Sequence, residues 1–526
     1  MHIPSPSGTA SLALLLSASL FYFAQAASIL PRLIVILEGT TSATSPMAIL
    51  LACLKPLGSK VLTESNLRFE QERYGFYLRY TYLPQVIVMA STVPDVQTAT
   101  KCAADAKVPI APRSGGHSFE GYGIGGQDGS MVIDLTGFNK VAISASGVAK
   151  VGAGVRLGPL YLELFKQGGW TLNAGTCPSV GVGGHTLGGG FGFLSGKYGL
   201  LIDSVLEMEF VNAKGEVLTA SADSNRDLFF ALRGAGSGSY GVVTQFTYQA
   251  FKSLPLVTSF TYNWPLEDCK GGLRAYNVFQ TTLQTEAARD IGVGLKVRPD
   301  GLQLCGTYQG NKDKLEFIVQ PFLNMLPPPE MVDVRESRQI DAHLRFSSID
   351  GHDIEALALM SENKPKGSRY AKGKSLVYSS LLRDSTLELM GKWAAKKPEG
   401  STGNHIYANI WTGAIRDVEK NATAFIHRDA LMVFEFVVEW NHDPNAKAGI
   451  PECVGCLKWL NDMYAEFLED FKSHYGPVRG YQNYIDRDIP NWQDAYYGDV
   501  LPKLKRIKKA VDPGDTFRFP QSIPLP

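Results

Sequence analysis

Residues 112 to 123 read PRSGGHSFEGYG, with His117 set between paired glycines and Ser118, and Arg113 four residues upstream. Gly115 and Gly116 suit positive φ and close backbone approach, whereas Arg113 and His117 are costly to bury unpaired. The stretch reads as one that holds a bound group. Residues 170 to 200 repeat the theme: glycine takes about a third of the positions, against ~7% in an average chain. Trp170, Phe191, Phe193 and Tyr198 are interleaved with those glycines, which a flexible linker would not carry. A third glycine-rich loop, ALRGAGSGSYGVVTQF, spans 231–246. Backbone N–H groups in such loops cradle phosphates, so a nucleotide cofactor is the first chemistry to test. Gly236, Gly238 and Gly241 match GxGxxG. A helix-like stretch (226–233) precedes them and a β-branched strand, VVTQF, follows, the reverse of the strand, turn, helix order that a dinucleotide fingerprint requires. That match is read as accidental.

The elements around these loops alternate short strands with amphipathic helices. VIVMA (86–90) reads as a strand, and Ser91-Thr92 before Pro94 and Asp95 reads as the cap of a helix running to about Lys107. PIAP (109–112), MVIDL (131–135), KVAIS and VAKVGAG are strand-like. Leu157, Leu160, Leu164 and Phe165 recur at helical spacing. Past residue 252 glycine thins out and longer elements appear, including helices near 267–285 and 455–473. HIYANIWTG (405–413) alternates, which puts His405, Tyr407, Asn409 and Trp411 on one face as a candidate polar ligand wall. Glu435 interrupts the apolar strand LMVFEFVVEW and faces either solvent or a ligand hydroxyl.

The 526 residues suffice for two or three domains. With 51 basic and 51 acidic side chains the net charge is zero, so nothing points to nucleic acid, and no obligate protein partner is expected. The apolar run 11–27 with Ala24-Gln25-Ala26 fits a signal peptide over 1–26, and an uncleaved anchor is the competing reading. Secretion accords with the sequon at Asn421. Seven cysteines leave one thiol over for something other than a disulfide. Cys453 and Cys456 have no second pair at zinc-ligand spacing, and no metal is expected.

RSGGHSFEGYG (113–123), the run 175–200, the 231–246 loop, RGYQNYIDRDIPNWQDAYYG (479–498) and FRFPQSIP (517–524), in that order, resemble the berberine-bridge-enzyme-like flavoproteins of the vanillyl-alcohol-oxidase superfamily. The likeness runs from about residue 47 to the C-terminus and is strongest to secreted fungal oligosaccharide oxidases. It implies an α+β architecture: a two-subdomain PCMH-type FAD-binding domain (47–252), an antiparallel-sheet substrate domain flanked by helices (253–475), and a segment (476–526) returning to the FAD domain. FAD is the implied cofactor, bonded covalently through His117 at the 8α-methyl and Cys177 at C6, which accounts for the odd cysteine. The resemblance also implies that Arg113, Ser114, Gly115, Gly116 and Ser118, with Val182, Gly183, Gly184, His185, Gly188, Gly189 and Gly190, wrap the pyrophosphate and ribityl chain. Gly241 and Val243 would line the adenine side, and Tyr481 and Asn483 would complete the cofactor site. A Cys53–Cys102 disulfide is implied, and a Cys269–Cys305 bridge more loosely.

Flavin oxidation of an alcohol needs a base for the hydroxyl proton. Tyr484 matches the family's catalytic tyrosine; its ordinary pKa near 10 would require neighbouring donors or positive charge that favour the phenolate. Strand alternation would put Gln482 and Asp486 on its face. Val180, just past the cysteine, matches a position that is small in oxygen-using members, and this implies molecular oxygen as acceptor. Tyr407, Asn409, Trp411 and Glu435 would line a pocket for an oligosaccharide or other small molecule. Asn409 stands where sugar oxidases carry a carboxylate, and Phe119 where they often carry tyrosine; both weaken the sugar reading. The rivals are an oxidoreductase of an alkaloid or other metabolite, and a non-catalytic secreted flavin- or glycan-binding protein.

Overall fold

The computed structural model describes residues 45–265, 273, 276, 279–285, 289–347, 349–363, 369–441 and 453–526. The signal-peptide stretch and most of the helix expected near 267–285 lie outside them. No helix among the described residues is long and apolar enough to cross a membrane.

Two small sheets and one large one carry the molecule. The first has the order β1 (Val61–Leu62), β2 (Val86–Met89), β4 (Met131–Asp134), β3 (Ile110–Arg113), with β2 and β3 both parallel to β4. Between β2 and β3 runs α1 (Val93–Ala106), started where the sequence places it: Thr92 and Asp95 form a reciprocal capping box with Pro94 in the first turn. The second sheet is antiparallel, in the order β5 (Val141–Ile143), β6 (Val148–Gly152), β10 (Val242–Gln249), β8 (Val205–Val211), β9 (Val217–Ser221). Helices α2 (Leu157–Lys166), α3 (Val182–Leu187) and α4 (Arg226–Ala235) stand beside it, and the short pair β7 (Trp170–Thr171) and β11 (Phe251–Lys252) closes one end. A helix precedes the 236–241 glycines and a strand follows them, as expected for a loop that is not a dinucleotide fingerprint.

The third sheet is fully antiparallel: β15 (Met331–Ser337), β12 (Val257–Trp264), β14 (Gly301–Tyr308), β13 (Ile291–Arg298), β17 (Ser401–Ile410), β18 (Met432–Trp440), β16 (Tyr370–Tyr378). Side chains along its strands alternate between the two faces, apart from an irregularity between Ser401 and Gly403 in β17. Ile406 and Ala408 of β17 and Phe434, Phe436 and Val438 of β18 pack with α5 (Val454–His474) in one apolar core. The intervening His405, Tyr407, Asn409, Glu435 and Glu439 face a cavity instead. Ile340, Leu344, Ala356 and Leu357 pack into the core of the first two sheets, which fastens the large sheet over the glycine loops.

Cys53 and Cys102 are disulfide-bonded, tying the helix at 46–54 to α1. Cys453 and Cys456 form a second disulfide, at the start of α5. The looser expectation of a Cys269–Cys305 bridge fails: Cys305 is a free, buried thiol facing Tyr407 Oη at 3.9 Å, and Cys269 lies outside the described residues.

Candidate active site

A cavity of about 590 Å³ runs between the glycine loops and the large sheet, a size in the ordinary range for cofactor sites of ~300–1,000 Å³. One end is backbone. Arg113 is buried and held by Asp134 at 2.7 Å. Ser114 Oγ donates to the Ala153 carbonyl at 2.6 Å and accepts from the Gly183 N–H at 3.3 Å. A Cβ on Gly115 would lie 2.2 Å from the Gly181 nitrogen, so the two loops meet backbone to backbone, and Gly116 has a φ of +72°. At Gly184, by contrast, a Cβ would meet nothing within 4 Å: the backbone there is left bare toward the cavity. Such a glycine-walled trough fits a dinucleotide.

His117 and Cys177 both line this cavity. His117 stacks on Phe76, with ring centroids 3.9 Å apart and an 18° interplanar angle. Cys177 is a free thiol, partly exposed, in a turn whose Val180 N–H returns to the Cys177 carbonyl. Ser118, Val180, Gly241, Val243, Tyr481 and Asn483 also reach the cavity. Burial holds His185 neutral, its pKa lowered to about 4, and its Nε2 accepts from the Gly175 N–H at 3.1 Å.

Four expected cofactor contacts do not line the cavity. Val182 is fully buried in the core, because its side chain points away from the loop wall. Gly188, Gly189 and Gly190 support Tyr481 and Asn483 from behind: a Cβ on Gly188 would strike Asn483 Oδ1 at 2.1 Å, Gly189 and Gly190 have positive φ, and the Gly190 N–H donates to Tyr481 Oη at 3.0 Å. Trp411 is a second correction. β17 ends at Ile410, and past it the Trp411 ring turns into a buried cluster with Phe425, Val433 and Tyr481 rather than onto the face of Tyr407 and Asn409.

The other end of the cavity is aromatic and acidic. Tyr484 lines it together with Tyr77, Tyr407, Asn409 and Glu435. Its segment is not a strand: Gln482–Tyr484 is a 3-10 turn, so the expected alternation does not hold. The Tyr481 N–H donates to Ser375 Oγ and the Asn483 amide donates to the His185 carbonyl, and these two bonds fold the segment into the turn. Asp486 points away, buried against Lys372 and Lys374. Burial pushes Tyr484 well above the ordinary phenol value, and Glu435, Tyr481, Tyr407 and Tyr77 push it the same way. The expected phenolate-favouring surroundings are therefore replaced by phenol-favouring ones. Burial also lifts Glu435 to about 7, against the pull of Lys296 and with a push from Glu439. It is the acid on this wall poised to change charge near neutrality.

Sequence reasoning missed Phe76, Tyr77, Lys296 and Glu439, all on the cavity wall. Glu439 was within reach, standing four residues after Glu435 on the same strand face. It also missed a buried ion network. Lys372 Nζ bonds Glu120 and lies 2.5 Å from Asp486; Lys374 lies 3.0 Å from Asp486, and Arg79 and Arg487 flank Glu120 at 3.8 and 3.5 Å. Glu120 follows Phe119, which stacks on Tyr77 at 4.8 Å, and Asp486 follows Tyr484 by two residues. The network thus joins the His117 loop, the edge strand β16 and the Tyr484 turn.

Comparison with known proteins places this geometry. The family model "FAD binding domain" matches residues 84–221, and "Berberine and berberine like" matches 480–524. The chain is 30% identical over 481 residues to a xylooligosaccharide oxidase of Thermothelomyces thermophilus, covering 90% of this chain and 93% of that protein. It superposes on Physcomitrella patens BBE-like 1 with a TM-score of 0.82 at 35% identity, over 91% of this chain and 99% of that one. A glucooligosaccharide oxidase from Acremonium strictum, described as carrying a 6-S-cysteinyl, 8α-N1-histidyl FAD, matches with a TM-score of 0.81 at 27% identity, over 90% of this chain and 99% of that one. The chain belongs to the berberine-bridge-enzyme-like family of FAD-linked oxidoreductases, and FAD is its cofactor.

Proposed function

We propose that this chain is a secreted oxidase that converts the anomeric C1 hydroxyl of an oligosaccharide to a lactone, with molecular oxygen reduced to hydrogen peroxide. The reading rests on one observation, the sharing of a single cavity by His117, Cys177 and Tyr484. It is supported by relatives named as xylo-, gluco- and chitooligosaccharide oxidases. Residues 47–252 and 476–526 would hold the cofactor and 253–475 the substrate. When bound, FAD supplies the acceptor for a hydride, the hydrogen and electron pair of the substrate C–H bond.

The chain's own residues do the rest. His117 and Cys177 anchor the cofactor covalently, while the bare backbone at Gly184 and the Ser114–Gly116 loop hold its polar chain. Tyr407, Asn409 and Glu435 face the substrate. As the C–H bond breaks, the O–H bonding pair becomes the new C=O bond and the hydroxyl proton must leave. Tyr484 takes that proton as it gives up its own, and Glu435, on the same cavity wall, is the net acceptor. Val180 stands three residues after Cys177 on the cavity wall, where its small side chain is the feature we assign to oxygen access. The exposed Asn421 is open to glycosylation.

Peroxide release from purified protein given cello-, xylo- and chito-oligosaccharides is the direct test. Release on at least one series supports the reading, whereas silence on all three and on acidic oligosaccharides such as digalacturonate, at millimolar concentration with FAD present, overturns it. The anchoring has its own check. His117→Ala and Cys177→Ala should each retain flavin through acid precipitation, because one bond remains, and the double variant should release it all. A single variant that releases free FAD would refute the paired attachment.

A further inference from the structure

The charges on the cavity wall do not balance locally. Arg113 is held by Asp134 at 2.7 Å and Arg369 by Glu439 at 3.5 Å. Among the described residues, the remaining lysine or arginine on that wall is Lys296, and it has no carboxylate within ion-pair distance. Its position follows from strand register. Lys296 of β13 pairs with Tyr407 of β17, which pairs with Glu435 of β18, so the three stand in one cross-strand row. Two strand spacings, about 10 Å between backbones, separate Lys296 from Glu435, with the Tyr407 ring between them; the ammonium pulls on the Glu435 carboxyl but forms no ion pair with it. The ammonium lies 4.8 Å from the centroid of that ring, a contact that stabilises a cation without neutralising it. Next along the wall, burial together with Lys296 and Arg298 keeps His405 well below its ordinary value and hence neutral, able to donate or accept. Arg298 is itself paired with Asp300 at 3.1 Å.

A cation facing a ligand cavity with no counter-ion of its own is an anion site. We propose that Lys296, assisted by His405, recognises a carboxylate on the substrate, and that the alcohol oxidised here belongs to an acidic class such as uronic-acid oligosaccharides. This rests on the reading of the cavity as a sugar site and adds the charge of the sugar to it. The carboxylate sits on the Lys296 side of Tyr407, and the reacting hydroxyl on the Glu435 side.

The FAD-loaded enzyme is assayed on digalacturonate and on its methyl ester, which keeps the shape and removes the charge, and binding of both is measured by calorimetry. The wild type should favour the acid by about tenfold or more in kcat/KM and in Kd, and its KM for the acid should rise with ionic strength. Lys296→Met should abolish that preference chiefly through KM, and Lys296→Arg should restore most of it. Equal treatment of acid and ester by the wild type, or an unchanged preference in Lys296→Met, overturns the proposal. Selective binding of the acid with no turnover of any sugar would instead overturn the oxidase reading and leave Lys296 as the anion site.

Discussion

Replacing Tyr484 by Phe should lower kcat about 100-fold or more while bound flavin stays at the wild-type level. The phenol oxygen is what the substitution removes. The ring itself remains in its edge contacts with Tyr481 at 5.1 Å and Phe191 at 6.0 Å, so fold and cofactor site should persist. Rapid-mixing measurement of flavin bleaching by substrate separates this step from oxygen use, and an unchanged bleaching rate would remove Tyr484 from the mechanism. The pH profile carries the companion expectation for Glu435. As the net proton acceptor it must be ionised, so kcat should rise as pH climbs through about 7 and level off above. Burial sets that value, with Lys296 pulling it down and Glu439 pushing it up, while the phenols of Tyr484, Tyr407 and Tyr77 face the same wall. The stability effect has the opposite sign. Its folded value is raised from 4.5, so Glu435 contributes fully at low pH, and that contribution is lost as pH rises through about 7.

The second large effect is on stability. Lys372→Met should destabilise the protein by about 3–5 kcal/mol, read as a lowered urea midpoint. Lys372 is 1% exposed, and Glu120 and Asp486 are fully buried, so the substitution removes the cation that bridges them in a low-dielectric interior, leaving Asp486 to Lys374 at 3.0 Å and Glu120 only to Arg79 and Arg487 at 3.8 and 3.5 Å. Lys374→Met should cost less, because Asp486 would keep Lys372. If both variants unfold at the wild-type midpoint, the network contributes nothing to holding the three segments together.

Where a local pattern decides structure, the sequence is a faithful guide. The period-2 alternation in 405–410 predicts that His405, Tyr407 and Asn409 face the cavity, and Thr92, Pro94 and Asp95 predict the start of α1. Patterns fail where long-range bonds override them. YQNYID alternates like a strand, yet bonds from Tyr481 to Ser375 and from Asn483 to His185 make it a turn. Trp411 continues an alternating series one residue beyond the point where its strand stops. The triple glycine 188–190 resembles a phosphate cradle but serves close packing against Asn483 and Tyr481. Lys372 and Glu120 lie 252 residues apart, and no periodicity connects such positions. Lys296 is an unremarkable lysine in a strand until the register sets it beside Tyr407.

The cavity wall draws on residues from Phe76 to Phe519, and Tyr481–Ile485 and Phe519 supply its last side. A ribosome making this chain would have released the His117 and Cys177 loops long before those residues emerged. Until then the two anchors would face an open trench, so the flavin can be enclosed only at the end of biosynthesis, by a polypeptide whose final fifty residues have already swung back onto its beginning.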